Sequence, residues 1–273
     1  MKTVVRLVFI AGFSFLLVFS AWKIFDIQRN YKVGQDTYES LQEYVSIPIP
    51  TTPEPTPEPV PDETVSEDPV VEEEKFDVSW PQVDFEHLLQ INPDVVGWIY
   101  IENTDINFPV VQAADNEYYL TRMVDGTWNS SGSIFLDASA AADLSDQHSI
   151  IFGHNMKNGT MFASLMNYKD LAYFEEHPEI LLLTPTCNYL IRIFSGHVAD
   201  ASVNAWEREF DDIRFEDWLS AVTEKSVFLA EHQPQSDNLI VTLSTCSYEF
   251  SNAKFLIHGY IAYKESPTET IPE

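Results

Sequence analysis

The sequence predicts a mainly β fold, a mixed β-barrel with inserted helices, spanning residues 76–265. Three observations carry this reading. Short runs rich in β-branched and aromatic residues recur through this stretch, punctuated by turn residues. Only a few of the intervening segments follow a helical period. The last two runs, 239–243 and 255–263, flank a short polar turn and read as a closing strand pair.

Residues 1–25 are strongly apolar, and the stretch from Leu7 to Trp22 carries no charge. With its flanks this run is about 20 residues, the minimum needed to span a bilayer. A cleaved signal peptide and a retained signal anchor both fit such a segment. Ser20 and Ala21 offer only a weak cleavage site, so the anchor is the reading adopted. Lys2 and Arg6 precede the run, while Lys23, Arg29 and Lys32 follow it and blur the positive-inside count. The long acidic chain behind the run is expected outside the cell. Residues 26–45 read as a juxtamembrane helix or a stalk, with Tyr38, Leu41 and Val45 on one helical face. Residues 46–75 form a Pro/Glu-rich linker, in which Pro48, Pro50, Pro53, Pro55, Pro57, Pro59 and Pro61 favour polyproline II. At about 3.1 Å per residue such a linker would reach on the order of 90 Å, enough to hold a domain away from a membrane.

Within the folded domain, Phe85, Leu88 and Leu89 mark a short amphipathic helix that closes near Asn92-Pro93. Residues 95–101 and 108–111 read as strands joined by a turn at 102–105. Two more short strands fall at 133–136 and 149–152, then a helix at 161–168. Residues 180–183 and 189–198 read as a hairpin around Pro185. Phe215, Trp218, Leu219 and Val222 recur at helical spacing, with Asp211 or Asp212 as N-cap and Lys225 near the C-terminal end. The tail, 266–273, is expected to be disordered.

Composition excludes several functions. The 273 residues carry a net charge of -28, which argues against nucleic acid as a partner because phosphate binding needs cationic patches. There are only two cysteines, Cys187 and Cys246, so no disulfide framework is expected. No Cys-x-x-Cys, His-Glu-x-x-His or calcium-loop pattern occurs, and neither a metal nor a cofactor is expected.

The chemistry concentrates on Cys246. A lone cysteine is most often a small buried hydrophobe. Here it ends a strand, is followed by a polar turn, and has a cation, Lys254, at the start of the partner strand. A rigid strand end that opens on a cleft suits a nucleophile. Of seven histidines, His154 stands just past a buried strand and before the flexible run Asn155-Met-Lys-Asn-Gly159. The glycine before it, Gly153, permits a tight turn or close backbone approach. His87, His197 and His258 fall within helix or strand patterns and read as structural. His148, His177 and His232 read as loop or helix-end residues. An imidazole can activate a thiol and protonate the leaving amine. A fixed cation can stabilise the oxyanion. Cys246, His154 and Lys254 would supply these three roles if the strands that carry them are neighbours.

Several blocks, in order, resemble one family. Thr242-Leu-Ser-Thr-Cys246 with Ser-Tyr-Glu-Phe250, and Gly153-His-Asn155 upstream, are similar to class B sortases. Ile91-Asn-Pro-Asp-Val-Val-Gly-Trp-Ile99, Phe108-Pro-Val-Val-Gln112, Gly132-Ser-Ile-Phe-Leu-Asp137 and Asp146-Gln147 extend the resemblance, as does the helix near 215–230. It implies an eight-stranded sortase barrel and a membrane-anchored cysteine transpeptidase on the outer surface of a Gram-positive cell. The implied partners are an Asn-Pro-x-Thr sorting signal, cleaved after Thr through a thioacyl-enzyme, and a peptidoglycan amine. Cys246 would be the nucleophile and His154 the acid/base, with Ser244 and Asn155 in support. The family carries an arginine where this chain has Lys254, and no arginine follows Cys246. Lysine keeps the charge and loses the planar fork. Two alternatives stay open: a pilus-polymerising sortase that uses a pilin lysine, and a degenerate sortase-like binding domain disabled at Lys254.

Overall fold

The computed structural model describes residues 2–48, 76–202, 206–208 and 210–267. One continuous helix, α1 (Lys2–Leu41), runs through the predicted anchor and most of the predicted 26–45 segment. Val45, expected on its helical face, lies instead in a strand that pairs with residues 82–83. The first half of α1 turns Phe9, Phe13, Leu16 and Trp22 outward, while Tyr38 and Leu41 near its end are buried. The Tyr38 hydroxyl donates to the Gly132 carbonyl at 2.6 Å and its ring meets Phe108 edge-on at 5.4 Å. The chain is therefore already seated on the domain when α1 ends.

Strand β1 (Val45–Ser46) pairs antiparallel with β2 (Gln82–Val83). The two flanks of the Pro/Glu-rich linker thus meet on one side of the same domain. Residues 49–75 lie outside the described residues. A linker that leaves and rejoins one body does not set that body's distance from a membrane, so the spacing role expected from its composition does not fit this topology. The expected tail, 266–273, lies outside the described residues beyond position 267.

Next comes α2 (Phe85–Ile91), capped by Asp84, whose carboxylate accepts from the His87 backbone N–H at 3.1 Å. The barrel follows: β3 (Val95–Tyr100), β4 (Asn107–Val111), β5 (Ile134–Leu136), β6 (His148–Phe152), β7 (Glu179–Leu183), β8 (Asn188–Asp200), β9 (Ile240–Cys246) and β10 (Ala253–Glu265). These eight close in the order β10-β8-β7-β3-β4-β5-β6-β9. The β4–β5 and β6–β9 pairs are parallel and the rest antiparallel. Consecutive residues such as Trp98 and Ile99 are both fully buried, so strand β3 is covered on both faces. Helix α3 (Leu171–Glu176) follows a 3₁₀ segment, Ala163–Lys169, where the sequence predicts an α-helix over 161–168. Helix α4 (Asp212–Glu224) lies between β8 and β9, and its N-cap is Asp211, which accepts from the Arg214 N–H at 2.9 Å.

Beneath α4 three imidazoles are buried together. His148, expected in a loop, opens β6 and is fully buried. Its Nδ1 lies 2.7 Å from the Glu207 carbonyl and its Nε2 2.7 Å from Thr242 Oγ1. The Trp218 ring of α4 covers it at 4.6 Å. The polar neighbours Asp146-Gln147 suggest a loop, and only the covering helix makes this position core. Thr242 also bonds His258 Nδ1 at 2.7 Å, and His258 stacks on His197 at 5.1 Å.

Burial, with help from the Arg208 charge, pushes His148 down to about 3. Burial and the Lys225 charge push His197 down to about 4. The unfolded chain takes up these protons near pH 6.5, well before the folded one. Stability present above about pH 6.5 is therefore lost as pH falls toward about 4 for His197 and about 3 for His148. Thermal midpoints measured down this range for the protein and for His197→Phe should both fall as pH drops, with the variant's slope the shallower. Parallel slopes would show that His197 carries no such linkage.

Candidate active site

The site is built where β6 and β9 end side by side. Phe152 is the register partner of Ser244. Beyond that pair the Gly153 N–H donates to the Ser244 carbonyl at 3.1 Å, and Thr245 Oγ1 donates to the Gly153 carbonyl at 2.9 Å. His154 and Cys246 each stand two residues beyond the Phe152–Ser244 pair, at the ends of the two strands. Gly153 is needed for close approach: a Cβ there would stand 2.5 Å from Ile134 Cδ1 and 2.6 Å from Phe162 Cδ2.

Across β9 lies β10, and in its register Lys254 faces Cys246. The Lys254 Nζ is 3.0 Å from the Cys246 Sγ. The His154 Nε2 donates to the Leu120 carbonyl at 2.7 Å, which leaves the neutral ring's lone pair on Nδ1. Leu120 is itself set by Gly132, whose φ of +57° brings it against this turn; a Cβ there would be 2.7 Å from the Leu120 oxygen. Cys246, His154, Lys254 and Ser244 line one cleft of about 300 Å³ with Leu120, Phe152 and Trp206. Asn155 is not among its lining residues. Its side-chain amide donates to the Cys246 carbonyl at 2.8 Å and so braces the strand end.

Trp206 forms one wall. Its ring packs edge-on against Phe152 at 5.7 Å, and its Nε1 donates to Ser244 Oγ at 3.2 Å. The segment that carries it is fastened by Arg208, which pairs with Asp137 Oδ1 and, at 3.3 Å, with Asp146 Oδ2. Burial raises the Asp137 carboxyl, but bonds from Ser139 and Asn116 and the Arg208 charge outweigh it and hold Asp137 below its usual range. Arg208 is thus committed to two carboxylates. Among the described residues that line the cleft, Lys254 is the cation.

Sequence reasoning missed Leu120, Trp206, Asp137 and Arg208. Leu120 acts through its backbone, which leaves no trace in residue type. The others are brought in from segments far apart in sequence. Asp137 does fall inside a block that resembles the family, the one available hint of its place.

Compared with known proteins, residues 99–262 match the sortase domain family. The chain belongs to the sortase family, in its class B branch. It is 34% identical to sortase B of Listeria monocytogenes over 180 residues, which cover 65% of this chain and 73% of that one. Sortase B from B. anthracis superposes with a TM-score of 0.68 at 28% identity, over 86% of this chain and 99% of the other. The Staphylococcus aureus sortase B–substrate complex superposes with a TM-score of 0.62 at 27% identity, over 67% and 85% of the two chains. The eight-stranded barrel expected from the resemblance is the barrel found. As a class B sortase the chain is a cysteine transpeptidase of cell-wall sorting.

Proposed function

We propose that this sortase cleaves a C-terminal sorting signal of the Asn-Pro-x-Thr type after its Thr and joins the new carboxyl end to a peptidoglycan amine. The observation that carries the reading is the thiol of Cys246 set 3.0 Å from the Lys254 ammonium, in one cleft with His154. The thiolate is the nucleophilic form of a cysteine, and here the Lys254 ammonium donates to its sulfur. The thiolate attacks the Thr carbonyl, and the Lys254 ammonium faces the oxyanion that forms. His154, protonated, gives its proton to the leaving amine, and the thioacyl-enzyme remains. It then takes a proton from the incoming amine, which displaces Cys246 and forms the new amide. The Leu120 carbonyl, which accepts from Nε2, steadies the imidazolium in between.

The apolar first half of α1, long enough to cross a membrane, supports an anchored enzyme with its barrel outside the cell. In that reading residues 1–25 are the anchor, 46–75 a linker and 76–265 the catalytic domain.

Intact mass of the full chain in detergent, incubated with Asn-Pro-x-Thr peptides, tests the reaction. A thioester adduct on Cys246 that a short glycine amine discharges faster than water supports it; a pilin-type lysine peptide that discharges it better than glycine would point to pilus assembly instead. Lys254→Ala is expected to lower kcat/KM by roughly 10²-fold, the cost of one oxyanion donor. Lys254→Arg should keep much of the activity because the charge is retained. Unchanged turnover in Lys254→Ala would remove Lys254 from the oxyanion role.

A further inference from the structure

We propose that Lys254 is an internal acyl acceptor: when no amine arrives, the thioacyl group on Cys246 passes to the Lys254 Nζ and ends there as an amide. The inference rests on the thioacyl-enzyme proposed above and adds a second fate for it. Lys254 and Cys246 are register partners on adjacent antiparallel strands, so backbone hydrogen bonds fix their separation. The Nζ already lies 3.0 Å from Sγ. Acylation puts the carbonyl carbon one bond from that sulfur, within reach of the same nitrogen. Reacting atoms held about 3–3.5 Å apart in a cleft act at very high effective concentration.

Chemistry separates a lysine at this position from an arginine. A guanidinium stays protonated and has no lone pair to offer, whereas an amine becomes a nucleophile once it loses a proton. Acylation replaces the sulfur that Nζ contacts with a thioester, so the electrophile appears where the Lys254 amine already sits. Nζ contacts Cys246 of β9 and lies over the Trp206 ring at 5.9 Å, and His154 and Asp137 line the same cleft. His154 has just delivered its proton to the leaving amine and can accept one from Nζ. The step is balanced: the C–N bond to Lys254 forms and the C–S bond breaks, while of the two protons that leave the Nζ ammonium one goes to His154 and the other ends on the Cys246 sulfur. No other reactant is consumed. The enzyme is then acylated at the cation its own chemistry uses, and it stops. An acceptor amine would thus both complete turnover and protect the catalyst.

The test uses the full chain in detergent with an Asn-Pro-x-Thr peptide and no amine. Samples are treated with hydroxylamine, which cleaves thioesters and spares amides, and then weighed intact. A hydroxylamine-resistant adduct is expected to accumulate with time, to map to Lys254 in tandem mass spectra, and to fall to background when a glycine amine is present. Lys254→Arg should give only the labile adduct. A wild-type adduct that stays entirely labile overturns the inference and leaves the transpeptidase reading intact. A resistant adduct spread over Lys157 and Lys169 as well also overturns it. No adduct of either kind overturns the transpeptidase reading, and the inference with it.

Discussion

Cys246→Ala is expected to remove acyl transfer almost completely, by on the order of 10⁴-fold or more in kcat, as loss of a nucleophile does elsewhere. No other described side chain in the cleft can replace it. Ser244 is buried, and its hydroxyl accepts from Trp206. Cys187, the other thiol, lies at the turn between β7 and β8, with its Sγ directed at the Asn188 carbonyl. The loss should be chemical rather than structural. Cys246 is half-buried at a strand end, and trimming one sulfur there should change stability by less than about 1 kcal/mol. Turnover of an Asn-Pro-x-Thr peptide, with a thermal melt of the same sample, checks both halves. Cys187→Ala is the matched control and should leave turnover unchanged. Substantial activity in Cys246→Ala with a normal melt would remove the thiol from the reaction.

What could be read from the sequence follows what is local. The closing strand pair was legible because its two apolar runs and polar turn are adjacent, and their pairing places Lys254 opposite Cys246. His154 was legible as a residue type, a Gly-His step at a strand end. Its alignment with Cys246 was not, because a parallel β6–β9 pair joins segments about ninety residues apart and no local pattern encodes such a register. His148 was misread for a related reason. Its burial depends on Trp218, far along the chain, and residue type alone gives a polar side chain beside polar neighbours. Helix α1 shows the opposite limit. Its apolar run was plain, yet its docking depends on contacts with distant residues, among them Tyr38 to the Gly132 carbonyl and Asn129 to the Asn30 carbonyl.

His154→Ala should carry the second-largest loss, roughly 10²–10⁴-fold in kcat/KM, the usual contribution of a positioned acid/base. The effect should fall on chemistry more than binding, because the ring's anchored atom, Nε2, is tied to the Leu120 carbonyl and the proton-transferring lone pair is on Nδ1. Without the imidazole the Lys254 ammonium still contacts Sγ at 3.0 Å. Alkylation of Cys246 by iodoacetamide should therefore slow far less than turnover does. Added imidazole should restore part of the turnover by supplying the missing acid to the leaving amine. Two results would reassign the proton. A loss below about tenfold would fall short of acid/base work and move the role to Lys254, the remaining titratable group within reach of the sulfur. A full loss matched by an equal loss of alkylation would instead make His154 the group that ionises the thiol, with Lys254 left to the oxyanion alone.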